Sequence, residues 1–557
     1  MNVYRVLVVL CVSLAGLVVQ QVPASASVVD GGVVTPTGPG VEVTFVEPDQ
    51  SAQVSFEGAA GVRYSLGFTQ TTLDGIYYVS IIRPDGTTQV SAAPLIGANA
   101  ELDIAALSQS GTYTAVIDPS GTSTGATTVT LSTEIAGGVL DPTGLAVPTT
   151  IERPGQNVGF QFTGATGQRF SLGFTQTTLD GIYYVTVIRP DGTTHVSAQP
   201  LIGQNAELDL PVLTQNGSYR VVIDPTAPGT GGITTTLSME IAGGVLDPAG
   251  APASVAVDRP GQNVGFQFDG VTGQRFSLGF TGVTLEGIFY VTVVRPDGTT
   301  HVSAAPLIGQ NAELDLPVLT QNGTYRVVID PTAPGTGAVT TTLSTEIAGG
   351  TLDPTGPAVS ATIDRPGQNI GFQFTATAGD RFGLGFTDVT LNGIFYVSVV
   401  RPDGTTQVNA QALIGQNAEL DLPALTQNGT YRVVIDPTAP GTGAITTTLS
   451  RDLAAGTLTV DGASLNAAID RPGQNARFAF NGTTGQRLTL GLTAVTLDGI
   501  YYVTVIRPDG TTHTTRTLIG DATISLPTLT ATGSYQVTID PDSAATGSIT
   551  ASLTTTL

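Results

Sequence analysis

Gly181-Ile182-Tyr183-Tyr184-Val185-Thr186-Val187-Ile188-Arg189-Pro190-Asp191-Gly192-Thr193-Thr194 reads as a strand that ends in a tight turn. Tyr183, Val185 and Val187 alternate with Tyr184, Thr186 and Ile188. A period of two sends successive side chains to opposite faces, which a strand does and a helix does not. Pro190 presets φ, Asp191 bonds its own backbone and Gly192 takes positive φ, so the run turns back on itself.

The neighbouring sequence has the same grain. Val158, Phe160 and Phe162 alternate with Gly159, Gln161 and Thr163, and Phe170, Leu172 and Phe174 with Ser171 and Gly173. Leu208 and Leu210 alternate with Glu207 and Asp209, and Tyr219, Val221 and Ile223 with Arg220, Val222 and Asp224. Asn216-Gly217 is a hairpin signal. No stretch has a period of 3.6, so the unit is expected to be all-β, an antiparallel sandwich of about eight strands.

The unit is repeated. Gly-Ile-(Tyr/Phe)-Tyr-Val begins at Gly75, Gly181, Gly287, Gly393 and Gly499, each step 106 residues. Arg-Pro-Asp-Gly-Thr-Thr follows at Arg83, Arg189, Arg295, Arg401 and Arg507. Gly-Gln-Asn occurs in copies two to five, and copy one has Asp49-Gln50-Ser51-Ala52 instead. A unit of this length can hold its own core, whereas solenoid repeats of roughly 20–45 residues cannot. The expectation is five tandem antiparallel β-sandwich domains, jelly-roll-like, in an elongated array. Their boundaries are placed at 27–136, 137–242, 243–348, 349–455 and 456–557, with short joints such as Ala136-Gly137-Gly138.

Residues 1–26 read as a secretory signal peptide, with Arg5 before an apolar run Val6–Val19 and Ala24-Ser25-Ala26 as the cleavage pattern. The protein is therefore expected to be secreted, cleaved after Ala26. No later stretch is apolar enough for a membrane span.

Composition narrows the chemistry. Of 557 residues, 44 are acidic and 21 basic, and all of the basic ones are Arg, giving a net charge of −23. Such a polyanion repels nucleic acid and anionic membrane. The single Cys, Cys11, lies in the leader, so disulfides, thiolate metal sites and Cys nucleophiles are excluded from the mature chain. Without Lys there is no Schiff base and no phosphate-loop lysine.

Phe160-Gln161-Phe162-Thr163-Gly164-Ala165-Thr166-Gly167-Gln168-Arg169, Val187-Ile188-Arg189-Pro190-Asp191-Gly192-Thr193 and Gly217-Ser218-Tyr219-Arg220-Val221 follow one another in an order that resembles bacterial pre-peptidase C-terminal domains. The resemblance covers each copy almost end to end. It implies a jelly-roll-like, non-catalytic module of secreted proteins, often assigned to substrate or surface binding. This chain departs from the family pattern in that no catalytic domain accompanies the repeats.

Four sets of residues are candidates for chemistry. Tyr78, Tyr184, Tyr290, Tyr396 and Tyr502 point away from the core if Tyr183 and its equivalents point in, and an outward Tyr can stack a sugar ring. Asp74, Asp180, Glu286, Asn392 and Asp498 share one turn position and offer oxygen ligands; no cofactor is expected, with calcium as the alternative. Glu101 and Asp103, Glu207 and Asp209, Glu313 and Asp315, and Glu419 and Asp421 alternate on a strand, where copy five has Thr523 and Ser525. These acids read as a solvated face, with calcium binding or glycosidase-like pairing as the alternatives. His195, His301 and His513 follow Gly-Thr-Thr, where copies one and four have Gln89 and Gln407, an exchange that suits a hydrogen-bonding site and not catalysis.

The expected protein is a secreted, non-enzymatic structural or interaction array, a spacer or an adhesin-like element. The alternative is a multivalent binder of polysaccharide or a surface protein, with one weak site per repeat.

Overall fold

The computed structural model describes residues 27–556. The expected leader, with Cys11 and the cleavage after Ala26, lies outside the described residues. Those residues form strands and no helix, and so no helix long and apolar enough to cross a membrane.

Copy two shows the pattern. Its strands are β1 (Ile135–Val139), β2 (Val147–Ile151), β3 (Val158–Gly164), β4 (Phe170–Thr175), β5 (Ile182–Ile188), β6 (Thr194–Ile202), β7 (Ala206–Asp209), β8 (Gly217–Pro225) and β9 (Gly231–Met239). They hydrogen-bond in the orders β1-β3-β8-β5-β6 and β2-β9-β4-β7, and every other copy repeats both orders. The two sheets enclose one apolar core. Phe160 and Phe162 of β3, Leu172 and Phe174 of β4, Tyr183, Val185 and Val187 of β5, and Tyr219, Val221 and Ile223 of β8 are all buried in it. Phe162 stacks on Tyr219 with ring centroids 5.2 Å apart. Burial pushes the Tyr183 hydroxyl up to about 12, and copies three and four place Phe289 and Phe395 there. The turn after β5 works as its residues predict. Asp191 Oδ1 accepts from the Thr193 amide at 2.9 Å and its hydroxyl at 2.7 Å, and Oδ2 accepts from Gln215 at 2.6 Å. The bonds from Thr193 and Gln215 hold the carboxyl down at about 2.

The expected string of five antiparallel, jelly-roll-like sandwich domains in an elongated array is overturned. First, β1 runs parallel to β3, Ile135 opposite Val158 and Val139 opposite Gln161, so the larger sheet is mixed. Second, the boundary drawn after Ala136 falls inside β1. Gly137 is there because a Cβ would strike the Phe160 ring, and Gly138 because the local register shift sets its φ at 89°. Third, the copies are not separate bodies. The described residues gather into two compact units, 27–170 with 174–237 and 171–173 with 238–556. Within each unit, sheet-bearing repeats fasten to their neighbours as the layers of a solenoid-like stack do. The sequence pattern concealed this because nothing in a period-two run distinguishes a solvated face from one covered by the next repeat.

The connections agree. One residue, Glu134, separates β9 of copy one (Gly125–Thr133) from β1 of copy two. Glu346 and Asp452 hold the same place later in the chain.

Candidate functional site at the repeat joints

The joint is built by a loop of one copy set against the smaller sheet of the copy before it. In copy two the loop is Arg153-Pro154-Gly155-Gln156-Asn157, between β2 and β3. Arg153 Nε donates to Leu131 O at 3.1 Å and its Nη2 to Gly38 O at 2.7 Å. Gln156 Nε2 donates to Thr133 O at 3.1 Å, and Asn157 Nδ2 to Asp103 Oδ1 at 2.6 Å. Pro154 sits on Gly67, where a Cβ would collide with the proline carbonyl. Arg suits this task because its rigid planar fork can serve two carbonyls at once.

The second unit repeats the device twice. Arg365 donates to Gly250 O and Leu343 O, and Asn369 to Asp315. Arg471 donates to Gly356 O and Leu449 O, and Asn475 to Asp421. Pro366 lies on Gly279 and Pro472 on Gly385.

An ion pair seals each joint. The linking residue Glu134 pairs with Arg220, and Glu346 with Arg432. Copy five keeps the pair by exchanging positions. Gln536 stands where Arg220 and Arg432 would be, and Arg477, on the adjacent strand, reaches Asp452. The glycine equivalent to Arg477 in copy four, Gly371, already faces Glu346 Oε1, so an arginine placed there meets the acid.

A polar cleft of about 200 Å³ lies between copies one and two, lined by Arg63, Asp103, Glu134, Asn157, Arg220 and Asp224. A cleft of about 210 Å³ recurs between copies three and four, with Arg275, Asp315, Glu346, Asn369, Arg432 and Asp436.

The alternating acids therefore belong to the joint, and their solvated-face reading is corrected. Burial first, then Asp436 and Asp315, pushes the Glu313 carboxyl up to about 8. Burial, then Asp540 and Asp421, pushes Glu419 up to about 10. Glu101, buried and beside Asp103, rises to about 7, with the Ala227 amide of the next copy donating to it. Asp436 and Asp540 each rise to about 7, through burial and then Asp315 and Asp421 respectively.

The other candidates make none of the loop's bonds but lie beside the joint or in exposed turns. Tyr78 is 37 % exposed, whereas Tyr184, Tyr290, Tyr396 and Tyr502 are half-buried. Tyr184 lies across the sheet from Asp224, and Tyr396 from Asp436, so these rings border the joint acids. Tyr502 donates to Asp542 at 3.3 Å. Asp74, Asp180, Glu286, Asn392 and Asp498 are all exposed in the turn before β5 or its equivalent. Asp498 lines a cleft of about 430 Å³ with Asn417, Asp542 and Ser543. Among the described residues no three His, Cys, Asp or Glu side chains form a metal-holding group.

The histidines brace strands. His195 Nε2 meets Pro211 O at 3.0 Å, and its ring stands edge-on to Tyr219. His301 and His513 repeat the contact with Pro317 O and Pro527 O. Gln407 donates to the equivalent Pro423 O at 3.4 Å. His301→Gln is therefore expected to change stability by less than about 0.5 kcal/mol, and His301→Leu to cost about 1 kcal/mol or more. Denaturant titration checks both, and equal losses would remove the hydrogen-bonding role.

Sequence reasoning missed the Arg-Pro of the joint loop. The available signal was a pair of exceptions: copy one lacks Gly-Gln-Asn and copy five lacks the paired acids, so each is missing a different half of one contact.

No protein-family model matches the chain, and no curated protein matches it. Among solved structures it is similar to the CUB1-EGF-CUB2 domain of human MASP-1/3, at 9 % identity and TM-score 0.12, covering 35 % of this chain and 98 % of that one. A biofilm-associated protein BSP domain shows 10 % identity and TM-score 0.12, covering 75 % and 99 %. The Bacteroides ovatus mixed-linkage glucan utilization locus SGBP-B, in complex with a mixed-linkage heptasaccharide, shows 11 % identity and TM-score 0.10, covering 66 % and 89 %. Overlaps this slight carry no argument about the chain.

Proposed function

We propose that the protein is a non-catalytic extracellular scaffold, a spacer or adhesin-like element whose repeats are held in fixed register. The observation that carries this is the joint. The same Arg, Pro, Gly, Gln and Asn recur at the described joints of both units on the same kinds of partner. An array that served only to tether independent binding domains would need no such fastening, because a flexible linker gives reach without it. The leader, the net charge of −23 and the resemblance to non-catalytic modules of secreted proteins support an extracellular place.

The multivalent polysaccharide reading is less favoured. It needs an open Tyr in every copy, and Tyr184, Tyr290, Tyr396 and Tyr502 are half-buried. The test is to incubate the chain from Ser27 onward with polysaccharides and cell-wall material, with calcium and with chelator. Both retention and release of reducing ends are measured. The scaffold reading expects no sugar release and no retention that falls on Tyr→Ala substitution at the five outward positions. Retention lost on that substitution would favour the binder, and turnover lost on a single carboxylate substitution would make the protein a hydrolase.

A further inference from the structure

A joint needs two halves, a donor loop on one copy and an acid-bearing sheet face on the copy before it. Copy one's loop and copy five's sheet face are the two places in the sequence where the residues of one half depart from the joint pattern.

Both have been altered. Where the joint loops have Arg, Gly and Asn, copy one has Glu47, Asp49 and Ser51. Glu47 reverses the charge that reaches the two carbonyls, and Ser51 is too short to repeat the Asn bond. Gln50 keeps the own-loop Oε1 bond that Gln156 also makes to Glu152, and its Nε2 finds its partner within copy one. Its Oε1 accepts from the Val46 and Glu47 amides at 2.7 and 2.9 Å, and its Nε2 donates to Ser27 Oγ at 2.9 Å.

Copy five is closed differently. Thr523 and Ser525 replace the Glu and Asp. Thr489 stands where copies one, three and four have Ser65, Ser277 and Gly383, and Thr554 where they have Ser132, Ser344 and Ser450. Those smaller residues are buried under the next copy, whereas Thr489 is partly exposed and Thr554 exposed. Thr489 Oγ1 is hydrogen-bonded to Thr556 Oγ1 at 2.8 Å. The turn that would receive an incoming Arg, equivalent to the one holding Gly356, is drawn onto the last strand instead. Asp461 accepts there from the Thr555 amide at 2.9 Å and its hydroxyl at 2.7 Å.

We propose that copy one's loop and copy five's sheet face are the two halves of a head-to-tail joint for a second copy of this chain, each closed by its own residues so that the two do not join. A heterologous contact that does not close on itself runs on into fibres, and terminal repeats of stacked arrays must be capped to stay soluble. The inference stands on the joint alone and is independent of the extracellular role.

The test restores one half at a time. One protein, from Ser27 onward, carries Glu47→Arg, Asp49→Gly and Ser51→Asn. The other carries Thr489→Ser, Thr523→Glu, Ser525→Asp and Thr554→Ser. In sedimentation velocity each alone is expected to run as the wild-type monomer, and their mixture as a 1:1 complex of doubled mass. A mixture that sediments as two monomers, when both variants keep the wild-type unfolding profile, overturns the proposal. So does a wild-type chain that already assembles with concentration. If a restored variant does not fold, the closure is moved inward instead, with Arg471→Glu, Gly473→Asp and Asn475→Ser. Copy five is then expected to unfold as a separate transition, and an unchanged single transition overturns the proposal.

Discussion

Glu313→Gln combined with Glu419→Gln raises the unfolding midpoint of the full chain at pH 8 and flattens its pH dependence between pH 5 and 8. Both carboxyls are raised in the folded joint, to about 8 and about 10 from 4.5. Below pH 4.5 each is protonated folded or unfolded, and the joint carries no penalty. As pH rises from 4.5 towards the folded value, the unfolded chain releases its proton first. The folded state then binds more protons, and stability falls with pH. The loss is up to about 1.4 kcal/mol per pH unit per group. Asp436 and Asp315 face Glu313, and Asp540, Asp421 and Asp542 face Glu419, while Arg432 acts on Asp315 and Arg477 and Asp452 act on Asp421 with opposite signs. Gln keeps the shape and removes the charge. Calorimetry at pH 5 and pH 8 checks this, and a double variant with the wild-type slope would show that the acids do not govern the joint. The turn aspartates limit the other side. Asp85, Asp191, Asp297 and Asp403 are held at about 2, so their contribution is present above pH 3.8 and is lost as pH falls towards 2. The array is expected to be most stable near pH 4 to 5.

Gly385→Leu is the second large effect. Gly385 lies on β4 of copy four (Phe382–Thr387), beneath Pro472, and a side chain there strikes the proline backbone and its ring. Overpacking costs about 1–3 kcal/mol. Displacing the loop also removes the Arg471 and Asn475 bonds, each worth about 1.5–3 kcal/mol as hydrogen bonds to or from a charged group. Copy five is expected to melt ahead of its neighbours, by roughly 4–8 °C per kcal/mol lost for a domain of its size. A single transition at the wild-type temperature would mean that the joint contributes nothing to cooperativity. Gly491→Leu in copy five, where a Cβ would meet only the Ser552 hydroxyl of its own copy, is the control.

Gly385 and its neighbour Gly383 also show where the sequence was legible. Phe382-Gly383-Leu384-Gly385-Phe386 reads as apolar residues alternating with small ones, a strand with one face in a core. That much is correct, for the Phe and Leu are buried in the copy's own core. Yet Gly383 and Gly385 are buried too. Hydropathy cannot see this, because a glycine beneath a neighbour's backbone and a glycine facing water look alike in sequence. Tyr183 facing inward and the Asp191 turn were readable because alternation and turn chemistry are local. The parallel pairing of β1 with β3 was not, since it joins Ile135 to Val158 across a whole strand and two turns, and Ala136-Gly137-Gly138 looks like a loop. The acids were seen and misplaced. Asp103 meets Asn157 in another copy, a distance along the chain that no local pattern reports.

The single-residue connection has a mechanical meaning. Between β9 of copy one and β1 of copy two there is only Glu134, itself tied to Arg220. A polymer with flexible spacers answers a pull by straightening them, softly and entropically, before any fold is loaded. Here there is nothing to straighten at that point. Tension applied along the chain passes from one strand straight into the next, so the first extension must come from rupturing a joint or shearing a sheet. The molecule is thus expected to resist the first pull stiffly and to lengthen in discrete steps, as a latch does and a spring does not.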